Sequence, residues 1–211
     1  MTERLREWAP LLAPRETALL VVDVQQLFTQ VLGPRLYPPV ADVLRQLQRV
    51  VAGARAAGVP VVRIRVVVPE ETRSDVWRRQ ADPARRDREA LAPDAAGVAF
   101  HPGFEPQPGD LVVTKHRYSA FFGTPLDSLL RPRGIRTVVV GGLTTDVCVG
   151  TTARDAFQRE YNTVTLADCT AEQTRARHEA GLATLSARFG LVCTADDVLG
   201  VWRGPPARAS T

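Results

Sequence analysis

The 211-residue chain is poor in the residues that would declare a chemistry at once: it has three cysteines, three histidines and one methionine. Cys148, Cys169 and Cys193 are odd in number and form no C-x-x-C pair, which argues against a disulfide framework and a cysteine-rich zinc centre. There is no apolar run long enough to span a bilayer, because the most hydrophobic stretch, VVRIRVVV, is short and carries two arginines. No apolar leader follows Met1, since the start, TERLREWAP, is charged throughout. There is also no cationic patch. The net charge is +4, but the densest basic run, from Arg78-Arg79 to Arg88, alternates with acids and has no interleaved aromatics. These absences argue against membrane and nucleic-acid partners and leave a cytoplasmic protein with reduced thiols as the expectation. No internal repeat or low-complexity tail is present.

What the chain does have is the pattern of one α/β domain. Apolar residues make up 45% of it, and 211 residues suffice for one sizeable core. Residues 17–24 (TALLVVDV) form a continuous apolar run, the mark of a strand covered on both faces. Val40, Val43, Leu44, Leu47, Val50 and Val51 recur at helical spacing over 40–57, and Gly58 is placed to stop that helix. Residues 60–68 then read as a second strand. Strand, helix and strand with short connections make a βαβ unit and hence a parallel sheet. Four further strands are predicted at 111–115, 137–142, 163–166 and 191–194. Helices are expected at 124–130, with Thr124 as cap and Pro125 in its first turn, and at 146–160, 171–189 and 195–202. The expected architecture is a three-layer α/β/α domain around a six-stranded, mostly parallel sheet, with its core over about 17–197.

Three regions depart from this regularity. Residues 1–16 are polar with two prolines and read as a loosely packed surface segment. Residues 69–110 contain six prolines and little periodicity beyond a polar helix candidate at 74–91. A segment of that length in a compact domain reads as a substrate-side rim or lid. The tail from 203 reads as disordered.

The candidate chemistry gathers at strand ends, where open α/β sheets bind their ligands. Asp23 ends the first strand, Lys115 ends the third, and Cys148 lies just beyond the fourth. A cysteine there is either a small buried side chain or a nucleophile. In the first turn of a helix beginning near Asp146, unpaired N–H groups and the helix dipole would lower its pKa. Each residue alone is a weak signal. Together they supply a nucleophile, an acid/base and a cation, the set that amide hydrolysis through a covalent intermediate requires.

These residues closely resemble the isochorismatase-like cysteine hydrolase superfamily. The resemblance rests on Val22-Asp23-Val24-Gln25, on Val113-Thr114-Lys115, and on Gly142-Leu143-Thr144-Thr145-Asp146-Val147-Cys148-Val149. It implies that Asp23, Lys115 and Cys148 form a catalytic triad. It also implies a cis peptide at Leu143–Thr144 and an oxyanion hole built from the backbone N–H groups of Thr144 and Cys148. A homo-oligomer, dimer or tetramer, is implied as well. Family nicotinamidases hold a metal through an acid and histidines after the second strand. Here VPEETRSDVW has no histidine, and His101, His116 and His178 lie elsewhere, so neither metal nor cofactor is expected.

The loop Lys115-His116-Arg117-Tyr118-Ser119-Ala120-Phe121 is shared with isochorismatases proper. Several of those lack the cysteine, because opening a vinyl ether by protonation needs an acid and no nucleophile. The retained Cys148 therefore points to C–N cleavage, and RYSAFFGTPLDSLLRPRGI with TTDVCVGTTARDAF looks most like the ureidoacrylate and biuret amidohydrolase branch. Two alternatives stand beside it: a vinyl-ether hydrolase with Asp23 as acid, and an inactive, ligand-binding member. The substrate would be a small molecule. Arg117 is a candidate carboxylate clamp, with a loop salt bridge as the other reading. Gln25 would either contact the substrate or brace Asp23. Phe28, Trp77, Tyr118 and Phe122 are candidate pocket walls that ordinary packing explains equally well.

Overall fold

The computed structural model describes residues 2–80 and 89–204. All six strands are parallel and hydrogen-bonded in the order β3-β2-β1-β4-β5-β6. They are β1 (Thr17–Val22), β2 (Val61–Val66), β3 (Leu111–Lys115), β4 (Thr137–Leu143), β5 (Asn162–Ala171) and β6 (Leu191–Cys193). The sheet expected to be mostly parallel is entirely so, because every connection is long enough to cross over. The chain builds outward from β1 in one direction and then from β4 in the other. The direction of winding thus reverses between the two central strands, and in such sheets the crevice beyond their carboxyl ends is the ligand position.

Alternation along the strands sorts the core into two layers. Leu19 and Val21 of β1, with Val139 and Val164, pack against helices α2 (Val40–Ala57) and α7 (Ala195–Arg203). Ala18, Leu20 and Val22, with Val62, Ile64, Val138 and Val140, face the opposite layer. There they meet α4 (Leu126–Leu130) and α5 (Gly150–Gln158). In α2 the buried Val43, Leu47, Val50, Val51 and Ala54 fall on one helical face, and Gly58 closes the helix in the left-handed region at φ 75°. Helix α6 (Arg175–Arg188) is capped by the Thr174 side chain, and α7 by a reciprocal Thr194–Asp197 capping box.

Several expectations are corrected. The N-terminal segment is not a loose surface strip. Helix α1 (Glu3–Trp8) buries Leu5, Leu12 joins the same core, and Arg4 donates to Ser186 Oγ at 2.9 Å and to the Gly190 carbonyl at 2.7 Å. Leu5, Trp8 and Leu12 share one face, and the prolines sit at the starts of short 3₁₀ turns, where a missing N–H costs nothing. Strand β5 runs to Ala171 rather than ending at 166. An irregularity opposite Gly141 is followed by renewed pairing of Thr170 and Ala171 with Gly142 and Leu143. Helix α6 consequently begins at Arg175, not at 171. Thr124 Oγ1 accepts the Leu126 N–H at 3.2 Å, but the cap position of α4 is held by Pro125, one residue later than expected. Of the helix candidate at 74–91, α3 (Asp75–Gln80) and a 3₁₀ turn at Glu89–Leu91 are formed. Residues 81–88, with most of the basic run, and the tail beyond 204 lie outside the described residues. Among the described residues no helix is long and apolar enough to cross a membrane.

Two buried features of this frame carry predictions. Gly142 adopts φ 128°, and a Cβ there would stand 2.0 Å from the Val22 carbonyl oxygen, a backbone atom of the adjacent strand. Gly142→Ala is therefore expected to destabilise the protein by at least about 3 kcal/mol, read by urea unfolding. On the other side of β1, the guanidinium of Arg63 is 2% exposed and its Nε lies 3.1 Å from Asp110 Oδ2. Burial lowers the pKa of Arg63, and the Asp110 carboxylate opposes that shift. Removing the carboxylate by Asp110→Ala leaves a buried cation without its salt-bridge partner, and about 3–5 kcal/mol of stability should be lost in the same assay.

Candidate active site

Strand β1 delivers Asp23 immediately after its last paired residue. The Asp23 N–H still donates to the Ile64 carbonyl at 2.9 Å, but its backbone turns into the left-handed region at φ 52°. Aspartate is among the few non-glycine residues that enter this region readily, and such strain gathers at functional sites. Strand β3 delivers Lys115 as its last residue. Both side chains are fully buried. Lys115 Nζ lies 2.8 Å from Asp23 Oδ2, 3.4 Å from Cys148 Sγ and 3.0 Å from the Arg117 carbonyl oxygen, so one ammonium bridges all three. Both the Lys115 ammonium and the Cys148 thiol stand against the Asp23 carboxyl, out of contact with water.

The cysteine reaches this cluster through the turn beyond β4. After Leu143 the chain does not enter an α-helix directly. Thr145–Val149 forms a π-helical turn, and α5 starts only at Gly150. The wider turn places Cys148 among Val22, Val140 and Val149 on the β1–β4 side of the domain. The peptide bond Leu143–Thr144 is cis, as the resemblance implies. Thr144 and Cys148 are each 7% exposed, so this edge of the cluster alone meets solvent.

Electrostatics correct one expectation. Burial pushes the Cys148 thiol up to about 12, and Asp23 adds to the rise, while Lys115 opposes it. The expected lowering fails because desolvation of a buried thiolate exceeds what the lysine supplies. Asp23 also lies above the ordinary carboxylate value: burial raises it, and the Lys115 charge only partly offsets this. For Lys115 the balance is reversed. Burial lowers its pKa, but Asp23 and Cys148 together hold it above the usual lysine value. The resting thiol is therefore neutral, with the Lys115 ammonium between it and Asp23. Such a thiol becomes nucleophilic only as it hands over its proton, and Asp23 is the acceptor within reach.

The remaining candidates separate. Gln25 is fully buried with its amide occupied: Nε2 donates to the carbonyls of Val66 and Val98, and Oε1 accepts the Val66 N–H at 2.8 Å. It braces the segments around Asp23. Phe28 packs against the α2-side core. Arg117 donates to the Thr72 carbonyl at 2.8 Å and to the His116 carbonyl, and its guanidinium lies over the Trp77 ring. Trp77 in turn meets Tyr118 at 5.3 Å between ring centroids. Arg117, Trp77 and Tyr118 thus join the 69–80 rim to the end of β3. Phe122 is 63% exposed and borders two shallow cavities, of about 340 and 450 Å³, on either side of Arg117. The sulfur of Cys148 lines neither, so the side-chain cluster, rather than a cavity, locates the chemistry.

Of the histidines, His116 donates from Nδ1 to the Val67 carbonyl at 2.7 Å, and His101 Nδ1 meets Thr29 Oγ1 at 2.9 Å. Among the described residues no group of three or more His, Cys, Asp or Glu is arranged to hold a metal ion. Two buried residues beneath the cysteine turn, Glu172 and His178, were not singled out as functional from sequence. Position 172 falls inside the helix expected over 171–189, and nothing in the sequence marks its carboxylate.

The isochorismatase domain model matches residues 17–197, and the chain belongs to that family. It is 38% identical to the ureidoacrylate amidohydrolase RutB of Methylobacterium radiotolerans over an alignment covering 94% of this chain and 85% of that protein. It is 34% identical to the maleamate amidohydrolase of Pseudomonas putida, covering 88% and 86%. Among solved structures it is similar to a cysteine hydrolase from Pseudomonas syringae pv. phaseolicola, with a TM-score of 0.79 and 29% identity, covering 90% of this chain and 93% of that one.

Proposed function

From its place in the isochorismatase family we propose that this protein is a cysteine-dependent amidohydrolase that cleaves the C–N bond of a small ureido, carbamoyl or amide compound. One observation carries the reading: a single buried ammonium spans an aspartate and a cysteine at the switch point of the sheet. Two similar proteins are named for acting on ureidoacrylate and maleamate, and both compounds join a carboxylate to a cleavable C–N bond. The substrate class proposed here is therefore a small amide-bearing acid.

The mechanism follows from a neutral thiol set beside Asp23 and Lys115. Asp23 takes the Cys148 proton as the sulfur adds to the substrate carbonyl, which avoids forming a free thiolate in a site that disfavours one. Lys115 keeps its charge and steadies the carboxylate until the transfer. The carbonyl oxygen becomes an oxyanion against the N–H groups of Thr144 and Cys148, donors of the kind worth roughly 3–4 kcal/mol each. Asp23 then protonates the departing nitrogen, the C–N bond breaks, and a thioester or thiocarbamate remains on Cys148. Water adds to that carbonyl while Asp23 takes its proton. Collapse expels the sulfur, which recovers the proton and frees the acid product. No external oxidant or cofactor enters the balance.

Release of ammonia or amine from ureidoacrylate and maleamate tests the proposal, and absence of turnover on a panel of small amides would count against it. The raised pKa of Asp23 keeps one competitor in view: a vinyl-ether hydrolase in which Asp23 is the acid. In that case turnover of isochorismate would survive loss of the sulfur. A homo-oligomer is part of the same proposal, and light scattering gives its number.

A further inference from the structure

The acylation chemistry uses Asp23, Lys115 and Cys148, but a second buried group lies beneath the turn that carries the cysteine. Glu172 is fully buried. Its Oε2 accepts the Asp146 N–H at 3.2 Å and its Oε1 accepts the Gln173 N–H at 2.9 Å, so each carboxylate oxygen is occupied by a backbone donor. Beside it His178, 6% exposed, has Nδ1 2.8 Å from Thr145 Oγ1, and that hydroxyl lies 3.1 Å from Thr170 Oγ1. Helix α6 comes close because its next inward residue is Gly181, where an added Cβ would stand 3.3 Å from Asp146 Cβ. The two consecutive residues between Thr144 and Val147 are thus each held from below by a side chain of the β5–α6 segment.

We propose that Glu172 and His178 are positioning residues that fix the Thr144–Cys148 turn, and so aim its backbone donors at the oxyanion. The inference rests on the amidohydrolase reading for its kinetic consequence but not for the positioning itself. Neither side chain reaches the reacting atoms. Their effect passes through the Asp146 N–H and the Thr145 hydroxyl. Burial keeps His178 below the ordinary imidazole value, which leaves it a neutral partner for that hydroxyl.

Glu172→Gln keeps the volume but offers one acceptor oxygen where two N–H groups need one, so the Asp146 anchor or its neighbour is lost. We expect kcat for amine release to fall roughly 10- to 100-fold, with KM within about threefold, because misplaced donors cost transition-state binding more than substrate binding. Amide hydrogen exchange across 144–149 should quicken about tenfold or more, while β1 and β4 keep their protection. For His178, Leu should behave like Glu172→Gln. Asn, which can return a polar atom near the position of Nδ1, should stay within about threefold of the parent. If Glu172→Gln does not fold, this histidine pair carries the comparison. Unchanged kcat per folded molecule, or faster exchange spread evenly through β5 and α6, overturns the proposal. If the parent itself releases no amine, the amidohydrolase reading falls, and the exchange measurement alone decides whether Glu172 and His178 hold the turn.

Discussion

Cys148→Ala is expected to lower amine release by at least about a thousandfold while leaving a folded protein whose stability changes by no more than about 1 kcal/mol. The large kinetic effect follows from the covalent catalysis proposed above. Without the sulfur, the site retains a carboxylate, an ammonium and the turn donors, but nothing in it forms the acyl intermediate that divides the reaction into two easier steps. The small structural effect follows from burial. The substitution keeps Cβ, removes one atom at the solvent-facing edge of the cluster, and leaves the Asp23–Lys115 pair at 2.8 Å intact. Ammonia assays beside thermal unfolding read both. Retained turnover on an amide would exclude the nucleophile. Retained turnover confined to a vinyl ether would transfer the chemistry to Asp23 as an acid.

The same variant separates the cysteines. Cys169 is buried with its pKa raised well above the ordinary thiol value, and Cys193 is pushed up to about 12, like Cys148. Resting acidity therefore does not distinguish the three sulfurs. What distinguishes Cys148 is the Lys115 cation at 3.4 Å; a carboxylate alone does not, since Asp168 stands beside Cys169. A pH profile of alkylation should show no thiol reacting as a low-pKa thiolate, and a Cys148 that titrated near neutrality in the free protein would contradict the concerted proton transfer.

How much of this could be read from sequence depends on whether the determining forces are local. Ala18 to Val22 and Val138 to Val140 are apolar without interruption because both faces of a parallel sheet are covered, so the strands, and with them the placement of Asp23 and Lys115 on one rim, are legible. The turn between Leu143 and Gly150 was legible as a motif but not as a shape, since a π-helical turn has no separate residue code. A helix-terminus argument for the thiol's pKa fails here because it assumes exposure, and burial is decided by residues as distant as Val22 and Phe121. Glu172 was overlooked for the same reason. Its partner is the Asp146 N–H, brought to it by the pairing of β4 with β5. Arg63 shows the converse. The strand was recognised despite its arginines, but the acid that answers one of them, Asp110, lies in a stretch with no periodicity to place it.

Lys115→Met should reduce amine release by at least about a hundredfold at neutral pH and make stability depend on pH in a direction set by Asp23. The kinetic loss has an electrostatic cause. In the parent the Lys115 charge is the main influence lowering the pKa of Asp23 against the desolvation that raises it. With methionine in place the opposing charge is gone, the carboxyl rises further, and the group that must accept the thiol proton already carries one. The linkage runs from the same shift. A folded-state pKa above the unfolded value of about 4 means that the folded protein holds the proton over a range where the unfolded chain has released it. Stability is then highest below the unfolded value, falls as pH rises between the two, and stays at the lower level above the folded pKa. Urea unfolding of Lys115→Met at successive pH values should show this decline from acid towards neutral pH. A flat profile, or stability that rises with pH over that interval, would mean that Asp23 is not the buried proton holder on which the mechanism depends. Recovery of amine release on raising the pH, as Asp23 ionises without its partner, would locate the role of Lys115 in keeping that carboxylate charged. If activity stayed lost at every pH, the ammonium would instead be required at the sulfur, 3.4 Å away.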